Sequence, residues 1–138
     1  MKVLRRRRGD RGAAAVEFAL VVPMLFLLVF GMIDFGYAIN RYAMVNNAAR
    51  EGVRAASLMQ DEAAVKSAVL ASAGDGLGTV DVQLSCRTAA NTSCAWNDAA
   101  SGGTALVKVR YDTKWITPVG SLFSDELSIS KTTRMRIE

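Results

Sequence analysis

The sequence predicts an α+β protein: a long N-terminal helix that crosses a membrane and continues beyond it, a short second helix, and a small antiparallel sheet of about three strands. Three observations carry this. An apolar run from Ala13 to Ile33 follows a cluster of arginines. Small and apolar residues then recur at spacings of three and four from Ala38 to Ala56. After the glycines at 74, 76 and 78 the period changes to alternation.

The first element begins with charge. Residues 1–12 hold Lys2, Arg5 to Arg8 and Arg11 against Asp10, a net of +5, while the rest of the chain has eleven basic and twelve acidic residues, a net of −1. The basic pI of about 9.4 therefore belongs to this leader. No basic stripe remains elsewhere, so no nucleic-acid partner is expected. Ala13 to Ile33 is 21 residues long, with Glu17 its one charge. As a helix it would extend about 32 Å, enough to cross a bilayer core. Arginines before it place the N-terminus in the cytoplasm and residues from about 40 onward outside. A cleaved secretory signal would have a shorter apolar region and end at a small-x-small site. Here Asp34-Phe35-Gly36-Tyr37 follows, which predicts an anchor retained in the lipid bilayer over residues 13–36. Pro23 inside it removes a backbone hydrogen bond, giving either a tolerated kink or a point of local melting. Tyr37 and Tyr42 suit an outer aromatic belt.

Beyond the span, residues 37–73 form an exported helical region. Ala38, Tyr42, Val45, Ala49, Gly52 and Ala56 make an a/d seam, opposite Asn40, Asn47, Arg50 and Arg54. The seam's small residues admit close approach by another helix backbone or a sheet, or the seam is simply the face this helix buries against the chain's own domain. A second helix is expected from about Glu62 to Ala71, N-capped by Asp61. Residues 74–138 form an exported β region. Its first strand has Val80, Val82 and Leu84 on one face, and its second has Ala105, Val107, Val109 and Tyr111. The third has Leu127, Ile129, Thr133, Met135 and Ile137, with Lys131 as a polar intruder. Arg87 to Gly103 reads as a loop, and Pro118 and Gly120 interrupt the chain before the third strand.

Catalytic chemistry is not legible. The chain has no histidine, which removes the commonest general base and metal ligand. No phosphate-binding glycine motif stands between a strand and a helix. Asp75 and Asp81 lack calcium-loop spacing and read as solvated loop charges. No enzyme activity, cofactor or metal site is expected. Cys86 and Cys94 are too far apart for a CxxC pair. If this region is exported they are expected to form a disulfide closing a small loop; the alternative is two reduced thiols in a cytosolic loop. Asn91-Thr92-Ser93 matches a glycosylation sequon, a pattern with a high chance rate.

Glu17 is the expensive residue, since a charge within hydrocarbon costs at least a few kcal/mol and is usually kept for function. Gly12 stands five positions before it, a small flexible residue at a junction open to a membrane-embedded peptidase. A cut there would create a charged amine at Ala13, with Glu17 about 6 Å further along the helix. Two readings stand: the carboxylate snorkels to the cytoplasmic headgroups, or it neutralises the amine of a staggered neighbouring subunit. Asp34 reads as an interfacial residue at the outer edge.

Together, the arginine-rich leader, Gly12, the small residues Ala13 to Ala15, Glu17 and Phe18 resemble a type IV prepilin-like protein. The run Arg11-Gly12-Ala13-Ala14-Ala15-Val16-Glu17-Phe18-Ala19-Leu20-Val21-Val22-Pro23 is similar to the TadE-like proteins of the tight-adherence (Tad/Flp) pilus system. So are Gly31-Met32-Ile33-Asp34-Phe35-Gly36 and Asn47 to Ala56, so that the resemblance covers roughly residues 8–58. It implies cleavage between Gly12 and Ala13 by a prepilin peptidase, and an assembly role for Glu17 followed by Phe18. The implied partners are that peptidase, other Tad/Flp pilins and the inner-membrane assembly platform. The major Flp pilin is much shorter and typically has tyrosine where Phe18 stands, which favours a minor pilin or pseudopilin; TadF-like members are closely similar. The alternative is a signal-anchored envelope protein whose exported α+β domain binds a ligand, with no pilus role.

Overall fold

The structure, a computed structural model, describes residues 9–138; the leader's Lys2 and Arg5 to Arg8 lie outside the described residues. Helix α1 runs without a break from Gly9 to Ser57, 49 residues, passing through Pro23. At 1.5 Å per residue it is about 74 Å long, so roughly half of it projects beyond the body of the protein. Helix α2 spans Glu62–Ala73. Asp61 caps it as the sequence predicts, its carboxylate accepting from the Ala64 N–H at 2.8 Å. Gly74 ends it at φ 61°, a left-handed conformation that glycine adopts at no steric cost.

Four strands follow: β1 (Asp81–Arg87), β2 (Ser93–Cys94), β3 (Thr104–Thr113) and β4 (Leu127–Arg136). They form one antiparallel sheet in the order β2-β1-β3-β4. The α+β class holds, and the three strands expected from alternation are all present. The fourth, β2, lies inside the segment expected to be loop. It has two residues and no alternation to betray it. A turn makes it, with the Thr88 N–H bonded to Thr92 O at 2.9 Å and Asn91 at φ 63°. Asn91, the first residue of the sequon, is thus a turn residue of the kind that tolerates positive φ.

The register lines up the apolar rows. Val107 pairs with Leu84 on one side and Thr133 on the other, and Val109 with Val82 and Lys131. Lys131, the intruder, directs its ammonium out past the core to the Tyr42 ring, 5.8 Å from the centroid. This helps explain why Tyr42, placed in the seam by spacing, is half exposed.

The core is one cluster. Val45, Ala48, Ala49, Val53 and Ala56 of α1 pack against Val65 and Val69 of α2 and Val107 and Val109 of β3, all fully buried. The seam is therefore filled along Val45 to Ala56 by this chain's own domain. At Gly52 the approach is close: a Cβ there would lie 2.4 Å from Val69 Cγ2 and 3.2 Å from Val107 Cγ1.

Cys86 and Cys94 face each other across β1 and β2 and are joined by a disulfide, their Cα atoms 4.9 Å apart. Closing so short a loop stabilises by about 2–3 kcal/mol in the chain-entropy account. The Cys86→Ser, Cys94→Ser double variant is expected to lower the urea midpoint by the corresponding amount. An unchanged midpoint under reducing and oxidising conditions would show that the bond adds nothing.

Candidate functional site

The sequence-predicted residues Gly12, Ala13, Glu17 and Phe18 lie on the first turns of α1, all exposed. None of the most apolar window of α1 is buried inside the protein. Val16, Leu20, Met24 and Met32 are each more than 60% exposed. The core helix of a soluble protein would be covered by its own domain; here nothing among the described residues covers it. Such a surface in water would be an aggregation hazard, and in a bilayer it is matched to its solvent.

Gly12 has no structural reason to be glycine. A Cβ there would meet nothing within 4 Å, and the residue sits inside a helix, where glycine costs about 1 kcal/mol relative to alanine. Glu17 lies one turn beyond Ala13 on the helix surface. Pro23 follows, also exposed. The structure does not bring Cys86 and Cys94 near these residues; the pair sits at the far end of the sheet.

At the C-terminal end of the apolar run the structure builds a site that spacing alone did not assign. Asp34 is 4% exposed, which corrects its reading as an interfacial residue. Its carboxylate accepts the Thr117 N–H at 3.0 Å, the Thr117 hydroxyl, and the Gly120 N–H at 3.0 Å. These donors belong to the β3–β4 connection, which contains a single helical turn, α3 (Pro118–Ser121). Thr117 occupies the N-cap position but caps nothing with its own side chain, because its hydroxyl is turned to Asp34. Pro118 at the first position has no N–H to satisfy. Asp34 thus supplies from α1 the oxygen that a local cap would have supplied.

The geometry allows no bulk at position 120. A Cβ on Gly120 would lie 2.7 Å from Asp34 Oδ2 and 2.7 Å from the Trp115 ring. One turn further along α1, the Tyr37 hydroxyl meets Thr113 Oγ1 at 3.1 Å, and the Arg41 guanidinium stacks over the Tyr37 ring at 4.8 Å and donates to Gly76 O. Tyr37 therefore helps clamp the domain to the helix in addition to lying near the expected aromatic belt. The seam's alternating spacing, extended one step back from Ala38, lands on Phe35, so no local pattern in the sequence marks Asp34.

Among the described residues, one uncovered apolar helix carries a small α+β body on its C-terminal half, an arrangement that supports a membrane-anchored pilin. The family model described as TadE-like protein matches residues 12–54, from the glycine of the expected processing site through the span to the packed part of α1. Over that segment the chain is similar to the TadE-like family. The match supports a Tad pilus-associated minor pilin at the level of the family. No curated protein and no solved structure matches the chain.

Proposed function

We infer that this protein is a non-enzymatic minor pilin, or pseudopilin, which assists the biogenesis or surface adhesion of a Tad/Flp type IV pilus. A prepilin peptidase cuts between Gly12 and Ala13. Residues 13–36 hold the mature chain in the cytoplasmic membrane, with its N-terminus inside and the α+β domain outside. The observation that carries this reading is the arrangement at the start of α1. A glycine the fold does not need precedes, by five positions, a carboxylate on a helix whose apolar surface its own domain leaves uncovered.

Two partners follow from that surface. Neighbouring pilins with similar helices can replace lipid around the span, as packing between apolar helices requires only shape and a few polar pairs. The amine created at Ala13 is then the natural partner for Glu17 of an adjacent, axially staggered subunit, because pairing offsets the desolvation of both charges. The inner-membrane assembly platform would receive the subunit in this form.

Replacing Glu17 by alanine leaves one charge without its partner. Piliation and co-purification with other pilins are expected to fall about tenfold or more, with membrane insertion unchanged. Normal piliation and normal co-purification in the Glu17→Ala strain would reduce the carboxylate to a snorkelling residue and favour a signal-anchored envelope protein.

A further inference from the structure

The β3–β4 connection joins two strands that already bury their inner face, yet it leaves large apolar side chains outside the core. Phe123 is 87% exposed, Leu122 78% and Ile116 58%. From Trp115 to Ser124 there is no charged residue; Lys114 precedes the stretch and Asp125 and Glu126 follow it. An exposed apolar patch of this kind marks a surface that meets something other than water.

Its place in the fold says what it meets. The β3 strand runs back along α1, with Thr113 beside Tyr37. At the opposite end, Glu138 donates its N–H to Ser57 O at the close of α1. The β3–β4 connection is therefore the end of the domain nearest the span, and it is fastened at Asp34, one residue beyond the end of the apolar run. A groove of about 280 Å³ between the two elements is lined by Gly31, Phe35, Trp115, Val119 and Phe123. Gly31 lies within the apolar run itself, so Phe123 and Trp115 sit level with its last turn. The far end of the sheet is different in kind: its turn, Thr88 to Thr92, is built from Thr, Ala and Asn. Beside it, at the close of α1, Leu58 and Met59 are about half exposed, less than Leu122 and Phe123 at the end nearest the span.

We propose that the β3–β4 connection, residues 115–123, is a second membrane contact that inserts into the outer-leaflet interface beside the span; this rests on the reading of α1 as a membrane helix. Trp115 has the chemistry of that depth, an apolar ring whose N–H is already satisfied by Ser124 Oγ at 2.9 Å. The same insertion accounts for the Asp34 clasp. A carboxylate at the edge of hydrocarbon needs its hydrogen bonds supplied by protein, and the loop brings three donors to it. The contact fixes the height and tilt of the exported domain against the bilayer.

The test uses the full chain in lipid vesicles. Trp96→Phe leaves Trp115 as the one indole; Trp96→Tyr serves the same purpose if the first variant misfolds, as judged by formation of the Cys86–Cys94 bond. Emission from Trp115 is expected to be blue-shifted, and quenched about twofold by lipids brominated near the headgroup end of the acyl chain. Leu122→Ser with Phe123→Ser should abolish that quenching. As a control for the span, Phe26→Trp in a background lacking both native tryptophans should be quenched by lipids brominated deep in the chain. Deep quenching of this control with no quenching of Trp115 overturns the loop contact and leaves the span standing. If neither is quenched, the membrane reading of α1 fails and the proposal with it. A blue shift that follows protein-to-lipid ratio and ignores bromine would mean that a second copy of the chain covers the patch, which also overturns it.

Discussion

Asp34→Ala is expected to release the β3–β4 connection from α1 while the core stays folded. The substitution removes the acceptor for three donors at once: the Thr117 N–H, the Thr117 hydroxyl and the Gly120 N–H. A buried backbone N–H left without a partner bears the full cost of its desolvation, so the segment opens to find water or lipid headgroups rather than remain docked. The remaining bolts, Tyr37 to Thr113 and Arg41 to Gly76, lie further along the helix and cannot hold α3. In amide exchange, protection at Thr117 and Gly120 should fall about tenfold or more while Val107 and Val109 in the sheet keep theirs. Asp34→Asn, which retains one acceptor oxygen, should be intermediate. Unchanged protection at both amides in Asp34→Ala would show that the carboxylate does not hold the loop.

Gly52 is the second position where a small change should have a large effect. It lies where α1 crosses both α2 and β3, and its missing Cβ is what lets Val69 and Val107 come so near. Alanine would add about 1 kcal/mol of helix propensity, but its methyl would sit 2.4 Å from Val69 Cγ2. Val69 is fully buried and β-branched, so it cannot swing aside without displacing the core. Overpacking of this kind costs about 1–3 kcal/mol, so Gly52→Ala should be destabilised on balance and Gly52→Val more so. Unfolding of the full chain in detergent by urea measures it. Val69→Ala in the Gly52→Ala background should recover part of the loss, a coupling that distant pairs would not show. A Gly52→Ala protein more stable than the parent would mean that the helices do not approach this closely.

Local patterns carried most of the architecture. The periodicity of Val45, Ala49, Gly52 and Ala56 located the buried face of α1, and alternation located β1, β3 and β4, because both report how one element meets a core. Asp61 announced α2 by the chemistry of its cap. What stayed hidden depends on residues far apart in sequence. Asp34 and Thr117 are 83 residues apart, and nothing local to either predicts the other. The seam's spacing extended backwards reaches Phe35 and passes Asp34 by, and a carboxylate at the edge of an apolar run is informative only once its donors are known. The seam's partner was open between a further helix, a sheet and the chain's own domain; Val69 of α2 and Val107 of β3 are what filled it. Strand β2 was missed because two residues show no period, and its position comes from a turn at Asn91 and the bond to Cys86. The processing segment is the converse case. Its chemistry is legible in sequence, and the fold adds that Gly12 and Glu17 serve no packing need within the described chain.

The central claim is that the mature protein begins at Ala13. Intact-mass and N-terminal peptide analysis of the membrane-bound protein, from cells that hold the Tad assembly machinery, measures this directly. A mature chain starting Ala13-Ala14-Ala15-Val16-Glu17, present with an active prepilin peptidase and lost when the peptidase is inactivated, is the expected result. A chain that keeps its Met1-Lys2 terminus in cells that assemble pili normally would contradict it.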